Sequence, residues 1–507
     1  MNEAREGAVA GCASHTLPRA VHTKDHGGSK RQNCETMRAL GANDFMSKAL
    51  YLRLICMAAA VDSSVYGYDT AVISGTADSL RRHFGLDPLA VGWVIGSALL
   101  GCVLGVLIVG RLTDWLGRRR MFVASALIFL LSAIWCYLAP SVTQLVLARV
   151  MGGIGVGFAS LLVPVYIAEI SPARIRGALV SLHQFGIVTG MTLAYVVNAW
   201  IGRNGDVAWL ADRGWRVMLV TTGVPAGIFL LLTVVMPESP RWLIKRGKLA
   251  EALAVLRRLH GAEAAATEAQ EIRATIEQER GRMRELFRRG VRGIMFMAMT
   301  LALFQAITGI NVIMYYAPSI YTSVGVGAAN ALSYQVINGV ALIAGTISSM
   351  FVVDRLGRRP IMLMAITAMG VSIGLMGAFF GRATGGGLGW GMVACTLLYI
   401  FAFNFGMGGI YWVMVSEIFP TRIRGAASSL SVMFLWGGNW VVLLMFPTML
   451  NVFKGGVFYL FAAICIVCLL FMWLFVPETK GKTLEHIERE LFHVGEGAQV
   501  SIATTET

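Results

Sequence analysis

Charge is scarce in this chain. Asp, Glu, Lys and Arg make up 14% of its 507 residues, where a soluble domain carries roughly 25%. Hydrophobic residues make up 56%, and the mean hydropathy is +0.65. That composition excludes a water-soluble enzyme. Acidic residues are the scarcer sign, 29 against 43 basic, leaving a formal net charge of +14. Such an excess raises nucleic acid as a partner, but the basic residues sit in short turns between apolar runs rather than on one polar domain, so no nucleic-acid partner is expected. The eight cysteines make no disulfide framework: Cys12 and Cys34 fall in a polar N-terminal segment and the rest in apolar runs. Cys465 and Cys468 form a CxxC, yet within FAAICIVCLLF they read as small apolar helix residues. The sequence also lacks HExxH or other paired metal-ligand spacing, a nucleophile elbow and a phosphate-binding loop. No metal, no organic cofactor and no enzymatic activity are expected.

What the chain has instead is long hydrophobic runs. A helix needs about 20 apolar residues to cross the hydrocarbon core. Twelve such runs occur, near 51–76, 90–110, 121–140, 143–168, 177–200, 216–236, 293–317, 331–353, 360–380, 388–416, 426–449 and 455–476. The expected fold is an all-α membrane protein of twelve transmembrane helices. With the N-terminus inside, 35 Lys and Arg fall on the cytoplasmic side and 7 outside, with Arg149 within a span. The positive-inside rule therefore puts both termini in the cytoplasm of a multi-pass protein of the plasma membrane or cell inner membrane. Residues 1–48 lack the apolar core of a cleavable signal peptide and read as a disordered cytoplasmic tail. Residues 237–292, rich in Ala, Glu and Arg at helical spacing, read as a cytoplasmic helical linker lying on anionic lipid or covering the inner mouth, and 477–507 as a second cytoplasmic tail.

The chain repeats itself. GRLTDWLGRRR at 110–120 returns as VDRLGRRP at 353–360, placing Asp114 and Asp354, and Gly117 and Gly357, 240 positions apart. YIAEISPARIRGA at 166–178 returns as VMVSEIFPTRIRGA at 413–426, and PESPRWL at 237–243 is echoed by PETKGKTLE at 477–485. Each motif follows an even-numbered span of its half, so two six-helix bundles, 49–236 and 293–476, run in the same direction. Parallel repeats of this kind place a substrate site between the bundles and move by rocking one against the other.

Two charges lie inside the spans. Asp69 in span one and Arg149 in span four each sit about 10 Å from the outer end of their helix. An unpaired charge there is costly, so each gives the other a reason to stay charged. A carboxylate caught between desolvation, which disfavours its charge, and an arginine, which favours it, is suited to exchanging a proton. Asp62 lies seven positions before Asp69, on the same helical stripe; a second proton stop, a substrate contact and a charge facing a hydrated cavity all fit it.

These motifs together, GYDTAVISG at 67–75, the two DxxGRR turns, RxxGGIGVG at 149–157, PESPRWL, QxxTGINVIMYYAP at 305–318 and PETKG, resemble the sugar porter family of the major facilitator superfamily. The resemblance spans all twelve helices. It implies alternating-access transport of a monosaccharide or polyol, with the lipid bilayer as the other partner, by a protein acting as a monomer. In proton-coupled members the aspartate matching Asp69 takes the proton, so Asp69 and Arg149 become the expected coupling pair and a proton the expected coupling ion. The resemblance assigns Asp114, Arg118, Glu169, Arg176, Asp354, Arg358, Glu417 and Arg424 to salt bridges that tie the bundles at the inner gate. It assigns Gln184, Gln305, Asn311, Tyr315, Asn338 and Asn439 to sugar contacts, with Trp412 as the aromatic platform. Amides suit that role, since each offers two donors and an acceptor without net charge. The sequence departs from the family at Ala306 and Leu435, where amides are usual, implying a less polar pocket suited to a pentose, deoxy sugar, polyol or cyclitol. Gly408 and Gly409 replace Gly-Pro before Trp412 and make span ten pliable. A facilitative uniporter and a non-transporting sugar sensor are the alternatives, though the sensor would need a longer signalling tail.

Overall fold

In the computed structural model, residues 27–172, 175–278, 289–381, 388–419 and 424–478 are described. The tails at 1–26 and 479–507 lie outside them. By its contacts the chain divides into residues 1–50 and residues 51–507, and the second unit carries the spans and the site. The helix carrying span one runs back to Gly27 (Gly27–Val72), into the stretch read as a disordered tail. No proline interrupts it between Pro18 and Pro88.

Among the described residues there is no strand. Spans two to five are the helices Pro88–Leu116, Arg118–Leu138, Val142–Ile170 and Arg176–Asn204. Span six, Val207–Leu232, starts earlier than its apolar run suggests. Span seven is Arg289–Ile307 and Ile310–Ser323; spans eight and nine are Ala328–Leu356 and Arg358–Gly381. Span ten comprises Leu388–Phe403 and Gly409–Ile418 around a π turn at Asn404–Gly408, and spans eleven and twelve are Arg424–Phe453 and Gly456–Phe475. Among the described residues eleven helices are long and apolar enough to cross a bilayer; the remaining span, residues 51–72, is the one holding Asp62 and Asp69. Leu231, Phe351 and Trp200 are 74%, 74% and 68% exposed. In water such side chains would form an aggregation surface; in a bilayer they face lipid.

Two interruptions have local causes. Span seven breaks at Gly309, whose φ of +100° suits glycine alone, and a Cβ there would lie 3.1 Å from the Phe461 ring. The π turn of span ten ends at Gly408, where the Gly-Gly pair was expected to loosen the helix. Tight packing of spans two and four rests on paired GxxxG motifs: a Cβ on Gly153 would collide with the Ala98 carbonyl, and one on Gly101 with the Val150 carbonyl.

The repeat is visible at the inner turns. Gly117 and Gly357 both adopt a φ of +93°. Behind each, a glutamate caps the following helix: Arg118 N–H donates to Glu238 Oε1 at 2.7 Å and Arg358 N–H to Glu478 Oε1 at 3.0 Å, both 120 residues apart. The free amides and the dipole of a helix N-terminus attract a carboxylate, which explains why PESPRWL and PETKG recur with the turns. Burial pushes the Glu238 carboxyl above the ordinary carboxylate value, and the backbone N–H groups of Ser239, Arg118 and Arg119 pull it back.

The linker forms helices Pro240–Lys245, Leu249–His260 and Ala262–Gln278 around a small core of Leu256, Ala265 and Ala269. It docks on the first bundle: Trp242 Nε1 donates to the Asp114 carbonyl at 3.0 Å, and Arg258 stacks 4.3 Å from the Tyr51 ring.

Candidate functional site

Spans two and eleven, and five and eight, carry the bundles against each other. Between them lies a cavity of about 90 Å³, room for one small solute. From the first bundle it is lined by Tyr66, Thr70, Gln184, Ile187 and Met191, and from the second by Gln305, Asn311, Asn404, Trp412, Leu435, Trp436 and Asn439, among others.

Five of the residues expected to contact substrate meet here: Gln184, Gln305, Asn311, Trp412 and Asn439. Asn311 Nδ2 donates to Asn439 Oδ1, and Asn439 Nδ2 donates to the Leu435 carbonyl at 2.9 Å. Gln305 Nε2 donates to the Met407 carbonyl at 3.2 Å inside the π turn, leaving Gln305 Oε1 buried without a protein partner. Trp436 Nε1 is likewise buried and unpartnered. A buried polar atom left unsatisfied is costly, so this acceptor and this donor are groups a hydroxylated ligand would satisfy. The sequence reading missed Trp436; its position, one residue beyond Leu435 and three before Asn439, was the available signal.

Two expected contacts lie elsewhere. Asn338 Nδ2 donates to Tyr321 Oη at 3.2 Å and does not line the cavity, because span eight turns it toward the outer part of span seven. Tyr315 is buried but not in the cavity wall, although it stands one helical turn beyond the cavity-lining Asn311. Leu435 lines the cavity but Ala306 does not: it packs 3.0 Å from where a Cβ on Gly438 would sit. Only Leu435 thins the polar lining.

Asp69 and Arg149 are 4% and 1% exposed, and Arg149 Nη1 lies 3.1 Å from both carboxylate oxygens of Asp69. Both Nη groups also donate to the Asp69 carbonyl at 3.4 Å. Because Tyr66 and Thr70 border the cavity, one stretch of span one holds the ion pair on a face next to the one that lines the cavity.

The outer mouth is closed by bonds between bundles. Ser74 Oγ donates to Gln335 Oε1 at 3.1 Å, Ser319 Oγ to Asp78 Oδ1 at 3.0 Å, and Arg203 Nε to Ser333 Oγ at 3.2 Å. The inner charges are engaged within the first bundle and linker instead: Arg118 grips Glu169 at 2.7 Å, and Asp114 binds Lys245 at 2.8 Å and faces Arg118 at 3.7 Å. Arg176 is exposed, and the Arg358 backbone is held by Glu478. The side chains of Asp354, Glu417 and Arg424 lie outside those described.

Residues 55–491 match the model of a family described as "Sugar (and other) transporter". The arabinose-proton symporter of Bacillus subtilis (strain 168) is 38% identical over 442 residues, covering 87% of this chain and 95% of that protein. The D-xylose-proton symporter of Escherichia coli (strain K12) is 38% identical over 476 residues, covering 86% and 95%. The partially occluded inward open structure of the xylose transporter XylE from E. coli superposes with a TM-score of 0.77 at 36% identity, over 85% of this chain and 99% of that one.

Proposed function

Since the chain belongs to the sugar porter family of the major facilitator superfamily, and is thus a membrane sugar transporter rather than an enzyme, we propose that it couples uptake of a pentose to an inward proton flux. The observation that carries this reading is the buried Asp69–Arg149 pair, held on the same stretch of span one that lines the cavity. Protonating Asp69 cancels the charge that holds Arg149, freeing span one to shift against span four. Deprotonation restores the pair. Each proton step is thereby linked to the helix that also touches substrate, and the proton is the only coupling species required.

The cavity supports a small hydroxylated substrate. Its amides and the unpartnered Gln305 Oε1 and Trp436 Nε1 supply hydrogen bonds, Trp412 offers an apolar sugar face a platform, and Leu435 removes one polar contact. The arabinose and xylose in the names of the two relatives are pentoses, which agrees with a shortened polar lining. A polyol or cyclitol is the next class. The protein acts as a monomer in the plasma or cell inner membrane, with both termini cytoplasmic as the inner excess of Lys and Arg requires.

Purified protein in proteoliposomes tests this with labelled xylose, arabinose, glucose and inositol under an imposed pH gradient, acid outside. Accumulation of a pentose above its external concentration, collapsed by a protonophore, is expected. Equilibration without accumulation would make the protein a uniporter. Failure of every sugar and polyol to enter would remove the sugar assignment.

A further inference from the structure

A second acid on span one has no place in that scheme. Asp62 is wholly buried. Ser125 Oγ, on span three, donates to its Oδ1 at 3.1 Å, and Oδ2 has no partner. The groups around it are few: Tyr66 and Asp69 lie one and two turns along its own helix, Asp69 engaging Arg149 of span four. His183 of span five is bonded at 2.7 Å to the neighbouring Ser63 Oγ, a different face of the helix. Among the described residues no salt bridge reaches the Asp62 carboxyl, and its side-chain hydrogen bond comes from Ser125. An ionised carboxylate with one neutral donor and no counter-charge is the form burial penalises most.

The placement is not isolated. Spans one and three run in the same direction, and Asp62 faces Ser125 as Asp69 approaches Ser132, one heptad further along both helices. A Cβ on Gly152 would lie 2.6 Å from Ser132 Oγ and 3.5 Å from Asp69 Oδ1, so the two groups flank that glycine. Phe129, on the same face of span three between the two serines, is wholly buried.

We propose that Asp62 is a second proton-binding residue of the transport cycle, in series with Asp69 on the seam between spans one and three, and that it holds its proton while the outer mouth is closed. Asp69 trades its proton against Arg149. Asp62 has no such partner, so it stays neutral whenever the seam is closed and loses its proton only when the bundle admits water. This rests on the proton-coupled reading.

Infrared difference spectra of the full-length protein in proteoliposomes at neutral pH should contain a protonated-carboxyl stretch that Asp62→Asn removes and Asp69→Asn retains. Ser125→Ala, which deletes the hydroxyl donor without altering the acid, should shift that band, and it serves if Asp62→Asn does not fold. In sugar counterflow, Asp62→Asn should displace the alkaline limb of the wild-type pH profile by about one pH unit or more, because a group that no longer deprotonates cannot set it. A spectrum indifferent to both substitutions, or an Asp62→Asn profile superimposed on wild type, overturns the proposal. Should wild-type uptake ignore an imposed pH gradient, the symport reading fails separately, while the band still decides whether Asp62 carries a proton.

Discussion

Asp69 and Arg149 show how far single residues can be read from a sequence. Their equal depth follows from counting along two helices, and the cost of a lone charge in the membrane then argues for a pair; the structure joins them at 3.1 Å. Where a cavity ends along each helix is harder to count. Tyr315 and Asn338 stand one turn from the cavity-lining Asn311 and Leu342 yet do not line the cavity, which no spacing rule conveys. Trp436 escaped notice for the opposite reason, being an unpaired donor visible only once its surroundings are assembled. At this scale Leu435→Gln should restore an amide to the cavity wall. One added hydrogen bond of about 0.5–1.5 kcal/mol predicts a roughly two- to tenfold gain in hexose competition against labelled pentose uptake. Gln305→Leu should weaken uptake of the native sugar by a similar factor, seen in KM.

At the scale of elements, hydropathy gave the spans to within several residues except in spans one and six, whose helices begin well before their apolar runs, at Gly27 and Val207, and the repeat gave the parallel bundles. The capping glutamates did not emerge, because the sequence presents turn and PES motif as separate repeats. Only folding brings Glu238 to the first amides of span three and Glu478 to those of span nine. Glu238→Ala strips the acceptor from Arg118 and Arg119 N–H and should cost about 1–2 kcal/mol, read as a lowered Tm. Packing of spans two and four is more demanding: Gly153→Leu forces a side chain into the Ala98 carbonyl. Overpacking of about 1–3 kcal/mol is expected, again as a lowered Tm, with little effect from an equivalent change at Gly227, where a Cβ meets nothing.

The whole molecule is caught with its outer mouth shut, and here the inner charges behave differently from their expected role. Arg118 and Glu169 pair within one bundle, and Asp114 turns to the linker. A motif that names gating residues cannot say which conformation is being observed. The outer closure depends on a few hydrogen bonds, so each shifts the balance measurably. Removing the Ser74–Gln335 bond by Ser74→Ala weakens the closed state by about 0.5–1.5 kcal/mol, a roughly two- to tenfold change in the open fraction. Labelling of a cysteine placed at Ser79, in the outer vestibule, by an impermeant maleimide would register it.

In the proposed scheme the coupling of sugar to proton depends on the Asp69–Arg149 pair, and Asp69→Asn in proteoliposomes tests it most directly. Sugar counterflow should persist, since the cavity is intact, while accumulation driven by a pH gradient disappears. Accumulation that survives with wild-type pH dependence would contradict the account.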